Sequence, residues 1–583
     1  MKNAARLLPF LLPAMLWSQQ HSEAIHLNQL GFYPDAPKIA IVSAAGDARD
    51  FFITSTHLRD TLYRGVLSDT IHSQHASLVT RKADFSSFAQ TGAFVLAVPG
   101  QGLSPVFRIG DNLLSEVGKA CLKGFYYQRS STPLLYAHAG KWQRSAGHPD
   151  TEVQVHPSAA SKERPAGTRI PSPGGWYDAG DYNKYIVNSG ITMNTLLTAY
   201  AHYPGYFSTL ETNIPESGNG APDILDEAVY NLRWMLTMQD PADGGVYHKC
   251  TNAAFDGMLM PGVGREPRYV VQKSTAAALD FVAVMAQAAS VLAPLGRYWP
   301  GLADSCRAAA LKGWDWALKN PAVLYEQDKL NQLFKPELST GTYGDGTIAD
   351  EWLWASAEMF RMTSDVQYLK LLKNVKDIPL TLPTWNQPGL LACYALLDMR
   401  GEFPADYQEE WMFMRSALLR MADAYVKYQA ISAFSAPMGQ SVGDFVWGSN
   451  SNAANQGILL LYAYRLTGKQ AYREAALANA DYLLGRNATG YCFVTGFGSK
   501  SPMRPHHRQS VADGIAEPIP GLLVGGPNPF RQDQCATYTH IERETAYTDD
   551  DCSYASNEIA INWNAPAVFL FNALEASRLP AKK

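Results

Sequence analysis

Hydrophobic residues recur along this chain with two different periods. Between residue 25 and about 110 the apolar stretches are short: Ile39 to Val42, Phe51 to Thr54, Phe94 to Val98 and Val106 to Ile109. Gly, Pro, Asp and Ser separate them. Short runs with regular turn punctuation predict strands, and the segment 25–110 has room for about seven, a small β-sandwich. From about 111 to the end at 583, apolar positions fall three and four residues apart over long segments, the period of a helix. Twelve helices are predicted, at about 113–128, 185–203, 222–239, 273–294, 302–320, 350–363, 366–374, 388–398, 406–428, 452–467, 470–485 and 558–577. Start signals accompany several: Pro222 with Asp223 and Asp226, Asp304 before Ser305, and Asp350 before Glu351.

Twelve helices with almost no strands between them predict a mostly α fold, an α/α toroid of six helical hairpins. The count carries this, because no strict sequence repeat is visible. The connections 140–184 and 486–557 are long and rich in Gly and Pro. Loops of that length inside a compact domain are usually functional.

The first residues follow neither period. Lys2 and Arg6 precede the apolar run Leu7 to Trp17, and polar residues then lead to the small pair Ser22 and Ala24. This reads as a secretory signal over 1–24, which places the protein outside the cell or in the periplasm. The run is too short for a bilayer that needs ~20 apolar residues. No later stretch reads as long and apolar enough, so no membrane span is expected. Seven cysteines, at 121, 250, 306, 393, 492, 535 and 552, show no C-x-x-C spacing. That is neither a disulfide framework nor a four-cysteine zinc site. Most read as small buried hydrophobes, and a Cys535–Cys552 bridge stays open.

Composition narrows the function. Charged residues are 18%, against roughly 25% in an average soluble protein. Aromatics are abundant, with Trp 13, Tyr 30 and Phe 23, which excludes disorder. The net charge of -5 gives no basic bias to hold a phosphate backbone, so nucleic acid is excluded as a partner. An aromatic, weakly acidic surface suits a neutral ligand with faces to stack on, such as a sugar polymer.

Four segments could carry chemistry. In Gly174-Gly175-Trp176-Tyr177-Asp178-Ala179-Gly180-Asp181-Tyr182-Asn183-Lys184-Tyr185, two carboxylates three apart share a glycine-rich loop before a helix. Close carboxylates raise the pKa of one of them or share a water, which suits base catalysis. In Tyr547 to Glu558, Glu558 is expected to open an apolar helix. Set among Tyr554, Trp563 and aliphatics it would lose water and keep its proton, as a general acid must. The plainer readings are a helix cap for the first pair and a helix-dipole Glu for the second. The third segment is Pro505-His506-His507-Arg508, which alone reads as a polar patch. The fourth is Gly344-Asp345-Gly346-Thr347-Ile348-Ala349-Asp350-Glu351, whose oxygens could cap a helix or hold a hard cation.

Taken together, these segments resemble family 9 glycoside hydrolases, inverting cellulase-type enzymes with an (α/α)6 barrel. The DAGDYNKY loop resembles the family's base motif. Pro505-His506-His507-Arg508 fits its His-x-Arg signature, with Cys492 where Ser, Thr or Val is usual. Tyr547, Asp549, Tyr554, Glu558, Ala560, Asn564 and Ala565 fit the third signature. Asn28-Gln29-Leu30-Gly31-Phe32-Tyr33-Pro34 resembles the start of the immunoglobulin-like module of one subgroup. The resemblance implies an immunoglobulin-like domain at 25–110 and the catalytic domain at 111–583. It implies Asp181 as general base, Asp178 as its helper and Glu558 as general acid. His506, Arg508, Tyr554 and Asp549 would bind substrate. Inversion places the two carboxyl groups ~6.5–9.5 Å apart. Calcium is implied at Asp350, Glu351 and Thr347, although Asn386 stands where a further family ligand would be Asp. Relatives with this module often bind zinc, but the cysteines are absent here, so no zinc is expected. A monomer acting on a β-1,4-glucan within its chains is the leading expectation. An exo-acting glucosidase, cellobiosidase or glucosaminidase, or a xyloglucanase, is the alternative on the same fold. A glycan-binding protein without activity is a third.

Overall fold

A computed structural model describes residues 21–43, 46–399 and 403–578. The leader expected at 1–24 lies outside the described residues as far as residue 20. From there the chain is already paired, because the Ser22 amide donates to the Leu103 carbonyl at 2.8 Å.

The first part is a sandwich of nine short strands among the described residues: β1 (Ile25–His26), β2 (Ile39–Ser43), β3 (Asp50–Ser55), β4 (Thr61–Val66), β5 (Ile71–His72), β6 (Val79–Asp84), β7 (Gly92–Val98), β8 (Gly102–Leu103) and β9 (Phe107–Ile109). One sheet runs β1-β2-β6-β5 and the other β4-β3-β7-β8, with β9 beside β7. Every pairing is antiparallel. Val42, Ile53, Phe85, Leu96 and Phe107 are buried together between the sheets.

The second part alternates outer and inner helices. The outer ones are α1 (Ser115–Tyr127), α3 (Asp223–Thr237), α5 (Leu302–Lys319), a 3-10 helix (Val366–Asp377), α8 (Gln408–Gln429) and α10 (Gln470–Leu483). The inner ones are α2 (Ile186–His202), α4 (Thr275–Leu292), α6 (Ala349–Thr363), α7 (Gly389–Leu397), α9 (Ser449–Thr467) and α11 (Ile561–Ala576). The outer helices bury one stripe each, whereas the inner ones are buried nearly all round, as an apolar helix must be. Neighbouring inner helices pack in sequence, and α11 closes the ring onto α2. Tyr394 of α7 stacks on Tyr462 of α9, ring centroids 4.0 Å apart, bridging the remaining side. This is the (α/α)6 toroid.

Three sequence expectations change. Thr275–Leu295 is long and apolar enough to cross a bilayer by composition, contrary to the reading that no later stretch qualifies. Its faces are covered by α2, α5 and α6, which explains the composition as that of a core helix. Residues 366–374 coil as a 3-10 helix within Val366–Asp377 rather than an α-helix. Glu558 does not open a helix: its backbone is extended, and α11 starts only at Ile561. Bridges from Glu558, Ile559 and Ala560 to His506, Val524 and Ala179 hold this stretch straight.

A third sheet, unseen in the sequence, lies in the connections before α2 and between α3 and α4. It comprises β10 (Val153–Val155), β11 (Arg169–Ile170), β12 (Lys184–Tyr185), β13 (Lys249–Thr251) and β14 (Tyr269–Val270), ordered β11-β10-β14-β13-β12. Strands of two or three residues carry no alternation to detect.

The sandwich is fastened to the toroid. Ile39 and Ile41 pack on Ala433 and Phe434. The Tyr33 hydroxyl donates to Glu575 at 2.8 Å, and the Asn28 amide to Asp481 at 2.8 Å. The Gln29 side-chain oxygen accepts from the backbone amides of Ser499 and Lys500. It thereby fixes the stretch that leads to His506. Cys535 and Cys552 form a disulfide with Cα atoms 5.6 Å apart; Cys121, Cys250, Cys306, Cys393 and Cys492 are free and buried.

Candidate active site

The loop before α2 is held by its own small residues. Gly175 has φ 78°, and a Cβ there would sit 2.7 Å from the Trp234 ring. Trp176, fully buried, donates from its indole to Glu227 at 3.2 Å. The three distant motifs are then tied together by main chain. The Ile561 amide donates to the Asp178 carbonyl at 2.9 Å, and the Arg508 amide to the Gly180 carbonyl at 3.1 Å. A Cβ at Gly180 would lie 2.1 Å from the His506 carbonyl oxygen, so only glycine lets these segments approach.

This lattice gathers Asp178, Asp181 and Glu558 on one cavity. Asp178 is buried; Asn188 donates to one of its oxygens at 2.6 Å and the Tyr343 hydroxyl to the other at 2.7 Å. Burial, and then the charge of Asp181, push Asp178 up to about 8. Asp181 accepts from the Asn183 side chain at 2.5 Å and its backbone amide at 3.2 Å, with the Tyr185 hydroxyl 3.5 Å away. Glu558 is only half-buried by its exposed area, because one side faces the cavity. The protein around it nonetheless strips away bulk water, and this desolvation, then the Asp181 charge, pushes it well above the usual carboxylate range; Arg508 opposes the shift. The arrangement therefore sets two carboxyls that hold their protons, Asp178 and Glu558, around one cavity with Asp181.

The cavity, about 460 Å³, is lined by Phe255, Tyr343, Trp385, Trp447 and Trp563 among others. Flat aromatic rings beside carboxylates suit a sugar ring, with its apolar faces and polar rim. Tyr343 has φ 43°, a conformation costly for a bulky residue and commonest at functional sites. His506 sits against Tyr554, and burial holds its imidazole below its ordinary pKa; its Nδ1 lies 2.6 Å from the Asp551 carbonyl oxygen. The Arg508 guanidinium donates to the Asp256 carbonyl at 2.9 Å and lies over Phe255. Tyr554 packs on Trp447, and its hydroxyl donates to the Gln532 carbonyl at 2.9 Å. Asp549 is differently engaged. Its oxygens accept from the Met503 and Arg504 amides at 2.8 and 2.9 Å and from Asn557, which makes it a buttress of the His506 segment.

Sequence reasoning misses Tyr343, Asn188, Trp385, Trp447 and Phe255. None sits in a motif; the closed ring brings Tyr343, Trp385, Trp447 and Phe255 to the cavity, while Asn188 reaches Asp178 from the first turn of α2.

A second carboxylate group lies apart from the first. Asp350 and Glu351 start α6, Asp345 precedes them, and Asp280 comes from the middle of α4. All four are buried. Both Glu351 oxygens, one of Asp280 and one of Asp345 have no hydrogen-bond partner. Burial and the mutual repulsion of the cluster push Asp280 and Glu351 far up. Unpartnered carboxylate oxygens are the ligand type a hard cation takes. Thr347 donates to Asp345 instead, at 3.2 Å, and Asn386 accepts from Thr384 and lines the sugar cavity. In the segments 128–131 and 148–150 before the catalytic loop, where zinc ligands would fall, Ser131 donates to the His148 carbonyl at 2.8 Å, and Asp150 pairs with Lys184 and Arg268.

Comparison with known proteins agrees with this geometry. A match to glycosyl hydrolase family 9 covers residues 115–571, and a match to the cellulase N-terminal Ig-like domain covers 20–102. The chain belongs to glycosyl hydrolase family 9 and is a glycoside hydrolase, as its motifs implied. It is 45% identical to a xyloglucan-specific endo-β-1,4-glucanase of Bacteroides ovatus over 95% of this chain and 94% of that one. It is 33% identical to endoglucanase D of Acetivibrio thermocellus over 94% of this chain and 83% of the relative. The solved structure of a Bacteroides ovatus family 9 enzyme superposes with TM-score 0.90 at 44% identity, covering 96% of this chain and 100% of the other.

Proposed function

We propose that this enzyme hydrolyses β-1,4-glucans within their chains, with inversion, using Asp181 as general base and Glu558 as general acid. The observation that carries the reading is the contrast across one cavity: Glu558 retains its proton, while Asp181 receives donors from Asn183. A water held by Asp178 and Asp181 gives one proton to Asp181 as its oxygen bonds to the anomeric carbon. The glycosidic C–O bond breaks, and the departing oxygen takes the Glu558 proton. Asp178, whose proton is retained up to about pH 8, orients that water without competing for its proton. We assign His506, Arg508 and Tyr554, which lie near Glu558, to the sugar hydroxyls.

Xyloglucan is the specific second substrate, because the Bacteroides ovatus relative at 45% identity is named for it. The test is a time course of products from carboxymethyl-cellulose, mixed-linkage glucan, xyloglucan and cello- and chito-oligosaccharides, with E558Q beside wild type. Mid-length products that vanish in E558Q support endo attack and identify the backbone. Mono- or disaccharides alone from the start would replace it with exo attack.

We read Asp280, Asp345, Asp350 and Glu351 as the place of a structural calcium ion, which when bound would displace their protons and answer the oxygens that the chain leaves unpartnered. We further read residues 1–24 as a secretory signal and the enzyme as a monomer, with zinc playing no part.

A further inference from the structure

Lys249, on β13 next to the catalytic loop, is fully buried, and among the described residues no carboxylate pairs with it. Its ammonium donates instead to three neutral oxygens: Gln327 at 2.7 Å, the Thr340 hydroxyl at 2.9 Å and the Gly341 carbonyl at 2.7 Å. An isolated buried ammonium is costly, and its place beside the catalytic loop points to a use for its charge. The bonds beyond it lead to the base. The Thr340 and Thr251 hydroxyls are 2.7 Å apart. Thr251 donates to the Asn183 side-chain oxygen at 3.0 Å, sharing that hydrogen with the Asn252 carbonyl. The Asn183 amide donates to Asp181 at 2.5 Å. Because an ammonium has only hydrogens to offer, Thr340 must accept from it and can turn its own hydrogen to Thr251. Every link then points the same way, from the cation to the carboxylate. Drawing electron density toward the Asn183 oxygen makes its N–H a stronger donor. Lys249 also grips Gly341, two residues before Tyr343, the donor to Asp178.

We propose that Lys249 is a positioning residue for the hydrolysis, delivering its charge through Thr340, Thr251 and Asn183 to hold Asp181 in place as an anion. This rests on the reading of Asp181 as base. The titratable groups facing Lys249 are few. Asp181 lies in the catalytic loop, and Tyr185 on β12 and Tyr325 in the preceding segment each turn a ring toward it. His248 and His156 feel its charge and are themselves held neutral by burial. Burial pulls Lys249 down to about 7 while Asp181 pulls it back up, so its charge is present on the acid side of neutrality, where the base must be ionised.

The test is the pH profile of K249M and T251V against wild type, with kcat and KM measured separately. K249M should lower kcat about tenfold, by more than it changes KM, and should move the acid limb of kcat/KM upward by about one pH unit. T251V cuts the relay but leaves the ammonium and its grip on Gly341. It should shift the same limb by less, and it decides the matter should K249M fail to fold. A T251V enzyme whose acid limb and kcat match wild type overturns the proposal, since a merely structural lysine would leave both unmoved. D181N separates the two claims. A D181N enzyme with wild-type activity would remove the base itself, whereas an inactive D181N beside an unshifted T251V overturns the relay alone.

Discussion

Asp178 and Asp181 are buried side by side, and the chain answers each with donors: Asn188 and Tyr343 for one, Asn183 for the other. Asp280, Asp345 and Glu351 are equally buried, yet oxygens on all three have no partner. An unsatisfied buried polar group costs about 1–3 kcal/mol, and more when charged. The first set is thus complete in itself and needs only a water and a sugar. The second leaves oxygens unanswered, which the proposed calcium ion would satisfy. On the proposed reading, crowded carboxylates serve chemistry in one place and scaffolding in the other. What distinguishes them is the company of donors and of an open cavity, not the carboxylates.

The largest effect expected from this contrast is on turnover. D181N should lower kcat by about 10²–10⁴-fold, the usual contribution of general acid–base catalysis, with the melting temperature little changed. E351Q should do the reverse, leaving kcat within about twofold in the folded enzyme while altering stability.

Next is the response to calcium. Chelation should lower the melting temperature by several degrees, and added calcium should restore it, read by thermal denaturation without any substrate. E351Q should abolish that response. The pH dependence follows from the sign of the shift. Glu351 and Asp280 have folded pKa values far above those of the unfolded chain. Their contribution is fully present below the ordinary carboxylate range and is lost as pH rises from there. Without calcium the melting temperature should therefore fall as pH rises above about 5, and with calcium this slope should flatten. A slope unaltered by calcium would make the second set no different from the first.

A smaller effect belongs to Tyr343. Y343F removes one donor from Asp178, a loss of about 0.5–1.5 kcal/mol, so kcat should fall roughly three- to tenfold with KM less affected. The alkaline limb of activity should also move. Asp178 loses its proton near pH 8 in the wild type, and without the Tyr343 hydroxyl, which favours its anion, the limb should shift to higher pH. A shift downward would contradict the assignment of that bond.

Much of the fold and of the site is legible in the sequence, for identifiable reasons. Asp178, Asp181 and Glu558 stand in dense local motifs, and helical spacing reveals the alternating toroid. The extended run at Glu558 reads as helix because Ile559, Ala560 and Ile561 suit either state; tertiary bridges to three distant segments decide it. Asp280 leaves a usable signal, as the single charged residue in the apolar run Thr275–Leu292. Tyr343 and Trp447 leave none. They act through contacts that exist only once the ring closes.

The assignment of acid and base is tested most directly with an aryl β-cellobioside whose leaving group needs no proton, such as the dinitrophenyl compound, compared with a polymeric glucan. E558Q should hydrolyse the aryl substrate at a rate near wild type while losing the polymer, and D181N should lose both. A D181N enzyme that keeps the aryl substrate, beside an E558Q enzyme that loses it, would contradict Asp181 as base and Glu558 as acid.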